Sequence, residues 1–350
     1  WEAAAGGGGG GLSSDAQRNT VGGTNAGDSF TGTDATDNTL IGYDAGTDIT
    51  TADKNSLYGS YSGDSLTTGS YNTCVGMEAG AALTTSSYGV YVGYEAGKTY
   101  STENQFGASA LCVGGQAGKN STGVKNTFIG TKCGQSSGSG QSNCYIGNET
   151  AGTRTGNFNV GLGAAAFPTG GDGSTNIGIG FYVFSGLTSG SDNTAIGCEA
   201  GGLTTGSNCT LLGHDASASS NTVSNEITLG DSNLSSLRCQ VQTISSRSDE
   251  RDKTQIEELP AGLDFVSQLK PVKFKWNPRQ KGLSCQGKVE AGFIAQQLQT
   301  AQKENDADYL GLVYDNNPDR LEASYGKLVP VLVKAIQELK MEIETLKNNG

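Results

Sequence analysis

Two side chains at the start of the last third of this 350-residue sequence have the types and spacing of a nucleophile and its base: Ser248 and Lys253, in the run Ser248-Asp-Glu-Arg-Asp-Lys253. A serine hydroxyl attacks a carbonyl only when a neighbour takes its proton. An amine does this near neutral pH when desolvation brings its pKa down from about 10.4 and it lies within about 3 Å of the hydroxyl. The chemistry would be acyl transfer at a peptide bond. Taken alone, the same six residues read more readily as a charged turn in which Ser248 caps a helix and Lys253 is solvated.

The elements that must position this pair differ on its two sides. Upstream the chain is rich in Gly, Ser, Thr and Asn, and residues 1–247 carry 9 basic and 19 acidic side chains; residues 248–350 carry 14 and 16 and have an ordinary globular composition. The net charge of -12 therefore resides mainly in the long upstream part. With no basic stripe to release counterions from phosphates, nucleic acid is not an expected partner. No apolar run approaches the roughly 18 residues of a membrane span, so membrane insertion is not expected either. The 54 glycines follow no every-third-residue rule, which excludes collagen, and apolar triplets recur too regularly for disorder. The opening Trp1-Glu-Ala-Ala-Ala and Gly6 to Gly11 lack the basic start and apolar middle of a signal peptide. Without an initiating Met, the chain is expected to be the downstream portion of a longer polypeptide.

A repeat organises the upstream part. The unit Asn-x-x-Ile-Gly-x-x-Ala-Gly is cleanest at Asn38–Gly46, Asn72–Gly80 and Asn193–Gly201, and its first Gly falls at 42, 59, 76, 93, 114, 130, 147, 161, 180, 197, 213 and 230. A period near 17 is too short for a helix pair, so each repeat is read as short strands joined by tight turns, stacked about 4.8 Å apart into a shaft of roughly 50 Å. The residue before each anchor (Ile41, Val75, Val92, Val113, Ile129, Ile146, Val160, Ile179, Ile196, Leu212 and Leu229, with Tyr58 the exception) is expected to form the inward-facing core. The recurring Asn is expected at a left-handed corner or in a side-chain ladder. The pattern resembles the head repeats of trimeric autotransporter adhesins and repeats of bacteriophage tail fibres. That resemblance implies a homotrimer in which neighbouring chains supply burial a thin roll lacks.

Downstream, Pro260 is expected to open a helix, Val272–Trp276 alternates as a strand, Ile294–Gln302 reads as a helix and Tyr309–Tyr314 as a short strand. Val329, Leu332, Ile336, Leu339, Ile343 and Leu346 have coiled-coil spacing, with Glu342 and Lys347 placed to pair between chains. The sequence thus divides into 1–18, a Gly-rich linker or truncated upstream region; 19–243, a β-solenoid shaft; 244–327, a small α+β unit; and 328–350, a coiled-coil helix. In order, Ser248–Lys253, Gly292-Phe-Ile-Ala-Gln-Gln-Leu-Gln299 and Leu328–Lys340 closely resemble the peptidase S74 domain, the intramolecular chaperone of phage endosialidases and tail fibres. The resemblance implies a domain that assembles three chains and then cleaves itself away. It makes Ser248 the nucleophile, Lys253 its base and Arg247–Ser248 the scissile bond of a single-turnover serine endopeptidase that needs no cofactor. It also implies a virion appendage, assembled in the host cytoplasm and extracellular when mature, joined to an upstream virion or baseplate protein and contacting a host glycan or protein. A non-viral trimeric adhesin or filament is the competing class, and a glycan-degrading tailspike comes third.

Other candidates lie in the shaft. Tyr43, Tyr94 and Phe181 each follow an anchor Gly and could stack on sugar rings. Asp44, Glu78, Glu95, Glu149, Glu199 and Asp215 recur two places after an anchor; Glu78 above Glu95, and Glu199 above Asp215, would repel unless water or a divalent cation lay between them. Solvated edges are the simpler reading. Gly93-Tyr-Glu-Ala-Gly97-Lys-Thr99 has three residues between its glycines where a phosphate loop needs four. Cys74 and Cys112 share a repeat slot two turns apart, too far for a disulfide, and are expected to be buried thiols. His214, the only histidine, is expected at a turn.

Overall fold

The computed structural model describes residues 11–99, 109–240, 244, 248–277 and 286–349. The chain divides into two compact units, Trp1–Asp231 and Ser232–Gly350.

The first unit is a β-solenoid whose strands follow sequence order in one sheet. β1 (Ser13–Ser14) runs antiparallel to β2 (Thr20–Gly22). Each later three-residue strand pairs parallel and in register with the one before it: β3 (Thr39–Ile41), β4 (Ser56–Tyr58), β5 (Thr73–Val75), β6 (Val90–Val92), β7 (Leu111–Val113), β8 (Thr127–Ile129), β9 (Cys144–Ile146), β10 (Val160–Leu162), β11 (Ile177–Ile179), β12 (Thr194–Ile196), β13 (Thr210–Leu212) and β14 (Ile227–Leu229). The glycine after each strand turns the chain. At Gly42, φ is +147° and a Cβ would lie 2.4 Å from the Gly59 carbonyl oxygen of the next turn, so conformation and stacking both demand glycine. The anchor expected at Gly161 is displaced: Gly161 is the middle of β10, and Gly163, with φ +129°, makes the corner. An earlier turn also exists, with its corner at Gly23.

The expected core row is reversed. Side chains alternate along a strand, so in a three-residue strand the first and third point one way and the second the other. The second residue is the buried one: Leu40, Leu57, Cys74, Tyr91, Cys112, Phe128 and Tyr145 are fully buried, while Tyr58, Val75, Ile146, Ile196, Leu212 and Leu229 are 36–44% exposed. The alanine of the repeat (Ala45, Ala79, Ala96, Ala117) forms a second inward row, and Ile49, Leu66, Leu83, Leu187 and Leu203 close the third side. The interior fills by compensation between turns. Phe128, Tyr145, Phe167 and Phe184 stack at successive centroid distances of 5.9, 6.2 and 5.2 Å. The last two rings fit because Gly161 and Gly178 occupy the strand positions beside them. Arg154 is buried too, donating from Nη1 to Leu187 O (3.0 Å) and from Nη2 to Gly173 O (3.1 Å), with its guanidinium 4.8 Å from the Phe167 ring centroid; burial lowers its pKa.

The recurring Asn forms the expected ladder just before the strands. Asn38 and Asn55 each donate from Nδ2 to the preceding Asn Oδ1, at 3.0 and 3.1 Å, and to a carbonyl of their own turn. The left-handed corner is taken by the residue before each Asn, as at Asp37, Lys54 and Tyr71. A buried amide that bonds its copy above and below is satisfied only in register, which makes the ladder a register device.

The second unit is a small α+β domain: α1 (Leu263–Gln268), β15 (Val272–Lys275) antiparallel to β16 (Val289–Gly292), α2 (Ala295–Glu304), the β17 (Val313–Tyr314) and β18 (Glu322–Ala323) ladder, and α3 (Val329–Asn348). Pro260 does not open α1, which begins three residues later. Its first free amide, Leu263 N–H, donates at 2.6 Å to Glu338 Oε2 of α3, so a tertiary cap sets the start. Trp276 lies beyond the end of β15. The segment expected as one strand from Tyr309 is a 3-10 turn, Asp308–Leu310, followed by β17. Phe265, Ala301, Leu310, Leu312, Leu328 and Val331 make the core. The coiled-coil residues of α3, from Val329 to Leu346, are all more than 40% exposed.

Candidate functional site

The serine and lysine singled out from their spacing meet. Between them lies a 3-10 turn, Glu250–Asp252, capped by Asp249 rather than by Ser248: Asp249 Oδ1 accepts the Arg251 amide at 2.9 Å. The Arg251 guanidinium adds bonds of 3.0 and 2.6 Å to the same carboxylate and holds its pKa below the usual range. The turn closes as Lys253 N–H donates to Glu250 O at 3.0 Å. Entering and leaving a single 3-10 turn, residues five apart in sequence are brought side by side. Lys253 Nζ lies 2.6 Å from Ser248 Oγ, to which it donates, and 3.2 Å from Ser248 O.

The distance required of a nucleophile and base is therefore met within one chain. The environment required of the base is not, since both residues are exposed. An amine accepts a proton from a hydroxyl only when its nitrogen lone pair is free to do so. Arg247, the other side of the expected scissile bond, lies outside the described residues.

The shaft candidates are scattered. Tyr43, Tyr94 and Phe181 are exposed and follow β3, β6 and β11, so three and five turns separate them and they form no continuous row. A closer aromatic pair, Tyr71 and Tyr88, stacks with centroids 4.9 Å apart and planes within 5°. Their 17-residue offset was the sequence signal for it. Glu78 and Glu95 are bridged by lysine: Lys98 Nζ lies 2.7 Å from Glu78 Oε2 and 3.0 Å from Glu95 Oε1, and Lys119 Nζ 2.6 Å from Glu95 Oε2. Lys119, Gln116 and Lys98 together hold the Glu95 pKa down to about 2, against the cost of its burial, and Lys98 is raised to about 12 by Glu78 and Glu95. The cations that separate these carboxylates are thus the chain's own. Glu199 and Asp215 are exposed, as is His214, which sits in a turn. Cys74, Cys112 and Cys133 are buried thiols whose pKa burial raises, Cys133 to about 12.

Residues 248–306 match the Peptidase_S74 family, described as chaperone of endosialidase. The match begins at Ser248 and runs through the 3-10 turn, α1, β15, β16 and α2. No curated protein and no solved structure matches the chain. Among the described residues, no helix is long and apolar enough to cross a membrane. A β-solenoid of about 17 residues per turn is thus joined in one chain to a segment that matches the endosialidase-chaperone family, a combination that fits a tail-fibre-like protein.

Proposed function

We propose that this chain is a phage tail-fibre subunit that contacts a host surface, and that its C-terminal domain gathers three copies, registers their shafts and then severs itself at Arg247–Ser248. The observation that carries the reading is the 2.6 Å approach of Lys253 Nζ to Ser248 Oγ at the first residue of the chaperone match. In the reaction, Ser248 Oγ attacks the Arg247 carbonyl carbon while a neutral Lys253 takes the hydroxyl proton and passes it to the Ser248 nitrogen. The peptide bond breaks as the ester forms. Water then hydrolyses the ester, leaving a carboxylate on Arg247 and a free amino group on Ser248. Exposure of the pair in the single chain makes assembly the gate: neighbouring chains supply the desolvation that Lys253 needs, so an unassembled chain keeps a protonated, inactive lysine. Severing the chaperone then makes the assembled state kinetically persistent.

The test is expression of the native chain beside Ser248→Ala, with denaturing gels and mass spectrometry. The native assembly yields a fragment whose new N-terminus is Ser248, and the variant stays intact with the same oligomeric mass. A native trimer that remains whole refutes the proteolytic role, and a monomer cleaving at full rate refutes the gate.

A further inference from the structure

The shaft carries one surface that its own fold leaves unused. The first and third residues of every strand from β3 to β14 point outward from the sheet, and none of them is charged in a chain of net charge -12. The third position is Ile, Val or Leu at every turn except Tyr58. We infer that this face is where copies of the chain pack on one another, parallel and in register, with the outward rows converging on a shared axis.

Three features commit the occupant to a second copy. The apolar row repeats at the strand spacing of about 4.8 Å, and a rod with the same rise and register sets an apolar side chain opposite each one along the whole length. A globular partner has no such periodicity. The strip has the scale of an interface: eleven rises of about 4.8 Å by about 10 Å of strand width give roughly 500 Å² of flat area, comparable to the ~800 Å² of accessible surface that each partner contributes to a stable interface. Absence of charge is the mark of an interface centre rather than of ordinary surface. The C-terminal unit independently presents a second unpartnered stripe, Leu332, Ile336, Leu339, Ile343 and Leu346 on α3, so both units expose surfaces suited to self-association. The inference goes beyond the proposed function by naming the contact surface on the shaft.

Cys144 is the one cysteine on the outward rows, and it serves as a reporter. The full chain is treated with a short bismaleimide and its mass measured by sedimentation. Cross-linked chains are expected, lost in Cys144→Ser and retained in Cys239→Ser. A triple variant, Val75→Lys, Ile146→Lys and Ile196→Lys, is expected to weaken cross-linking at Cys144 by at least roughly tenfold, because each buried ammonium would lack a partner. Thr68→Lys, Ser139→Lys and Thr205→Lys, at exposed positions away from the strands, should leave it unchanged. An oligomer of unchanged mass with no cross-link at Cys144, or with a cross-link indifferent to the strand lysines, overturns the assigned face and leaves the chaperone reading standing. A monomeric full chain overturns both.

Discussion

Asn55→Ala probes the ladder that holds the turns in register. The side chain is fully buried and makes four bonds: Nδ2 donates to Asn38 Oδ1 (3.1 Å) and Gly69 O (3.0 Å), and Oδ1 accepts from Asn72 N (2.9 Å) and Asn72 Nδ2 (3.1 Å). Truncation leaves the Asn72 backbone N–H and the Gly69 carbonyl without these partners in a site closed to water. At about 1–3 kcal/mol for each orphaned group, the cost is about 4 kcal/mol, or roughly a thousandfold in a local opening constant. Stability of a stacked repeat is nearly a nearest-neighbour sum, so the loss should concentrate in the turns of β4 and β5. Native-state hydrogen exchange measures this: protection of the Asn72 amide should fall by about three orders of magnitude, with β11 to β13 little changed. The ladder's natural gap is compatible, because Gly89, where an Asn would stand, still donates its amide to Asn72 Oδ1 at 2.9 Å and has no side chain to collide with the Tyr91 ring. Protection at Asn72 unchanged within a factor of two or three would refute the reasoning.

Two further outcomes are expected. Glu95 has a folded pKa of about 2 against an ordinary 4.5, so its contribution to stability is complete above about pH 4.5 and is lost as pH falls towards 2. The stability difference between the native chain and Glu95→Gln should therefore shrink on acidification across that window; a difference independent of pH counts against the Lys119–Glu95–Lys98 cluster. Cys74, Cys112 and Cys133 should resist a maleimide in the folded protein and react on denaturation, followed by peptide mass mapping. Labelling of Cys74 in the folded state at the rate of the unfolded chain would contradict its burial.

The repeat was legible because its corner admits only one residue type. A Cβ at Gly42 or Gly59 would strike the next turn, so glycine is written into the sequence at nearly fixed intervals. Orientation of the strands was not legible, for an equally physical reason. The inner column mixes Leu57, Cys74, Tyr91, Phe128 and Gly161, because a stacked interior is filled jointly and a large residue in one turn offsets a small one in another. The outer column is the uniform one, and uniformity was read as core. At the candidate site, the spacing of Ser248 and Lys253 anticipated their contact, since a single 3-10 turn closes it. The state of Lys253 depends on what surrounds it in space, which no local spacing encodes. Likewise, Glu338 starts α1 from 75 residues away, beyond the reach of any capping pattern around Pro260.

The two ends of the long sheet differ. Among the described residues, β1 lies antiparallel across the first edge, whereas the last strand, β14, is bonded to β13 alone, with Ile227 72% exposed. A row of amides and carbonyls pointing along the stacking direction is a template onto which another strand can dock. An uncovered β14 edge would make such sheets prone to pair end to end, and a polar or bulky plug over β14 would prevent it.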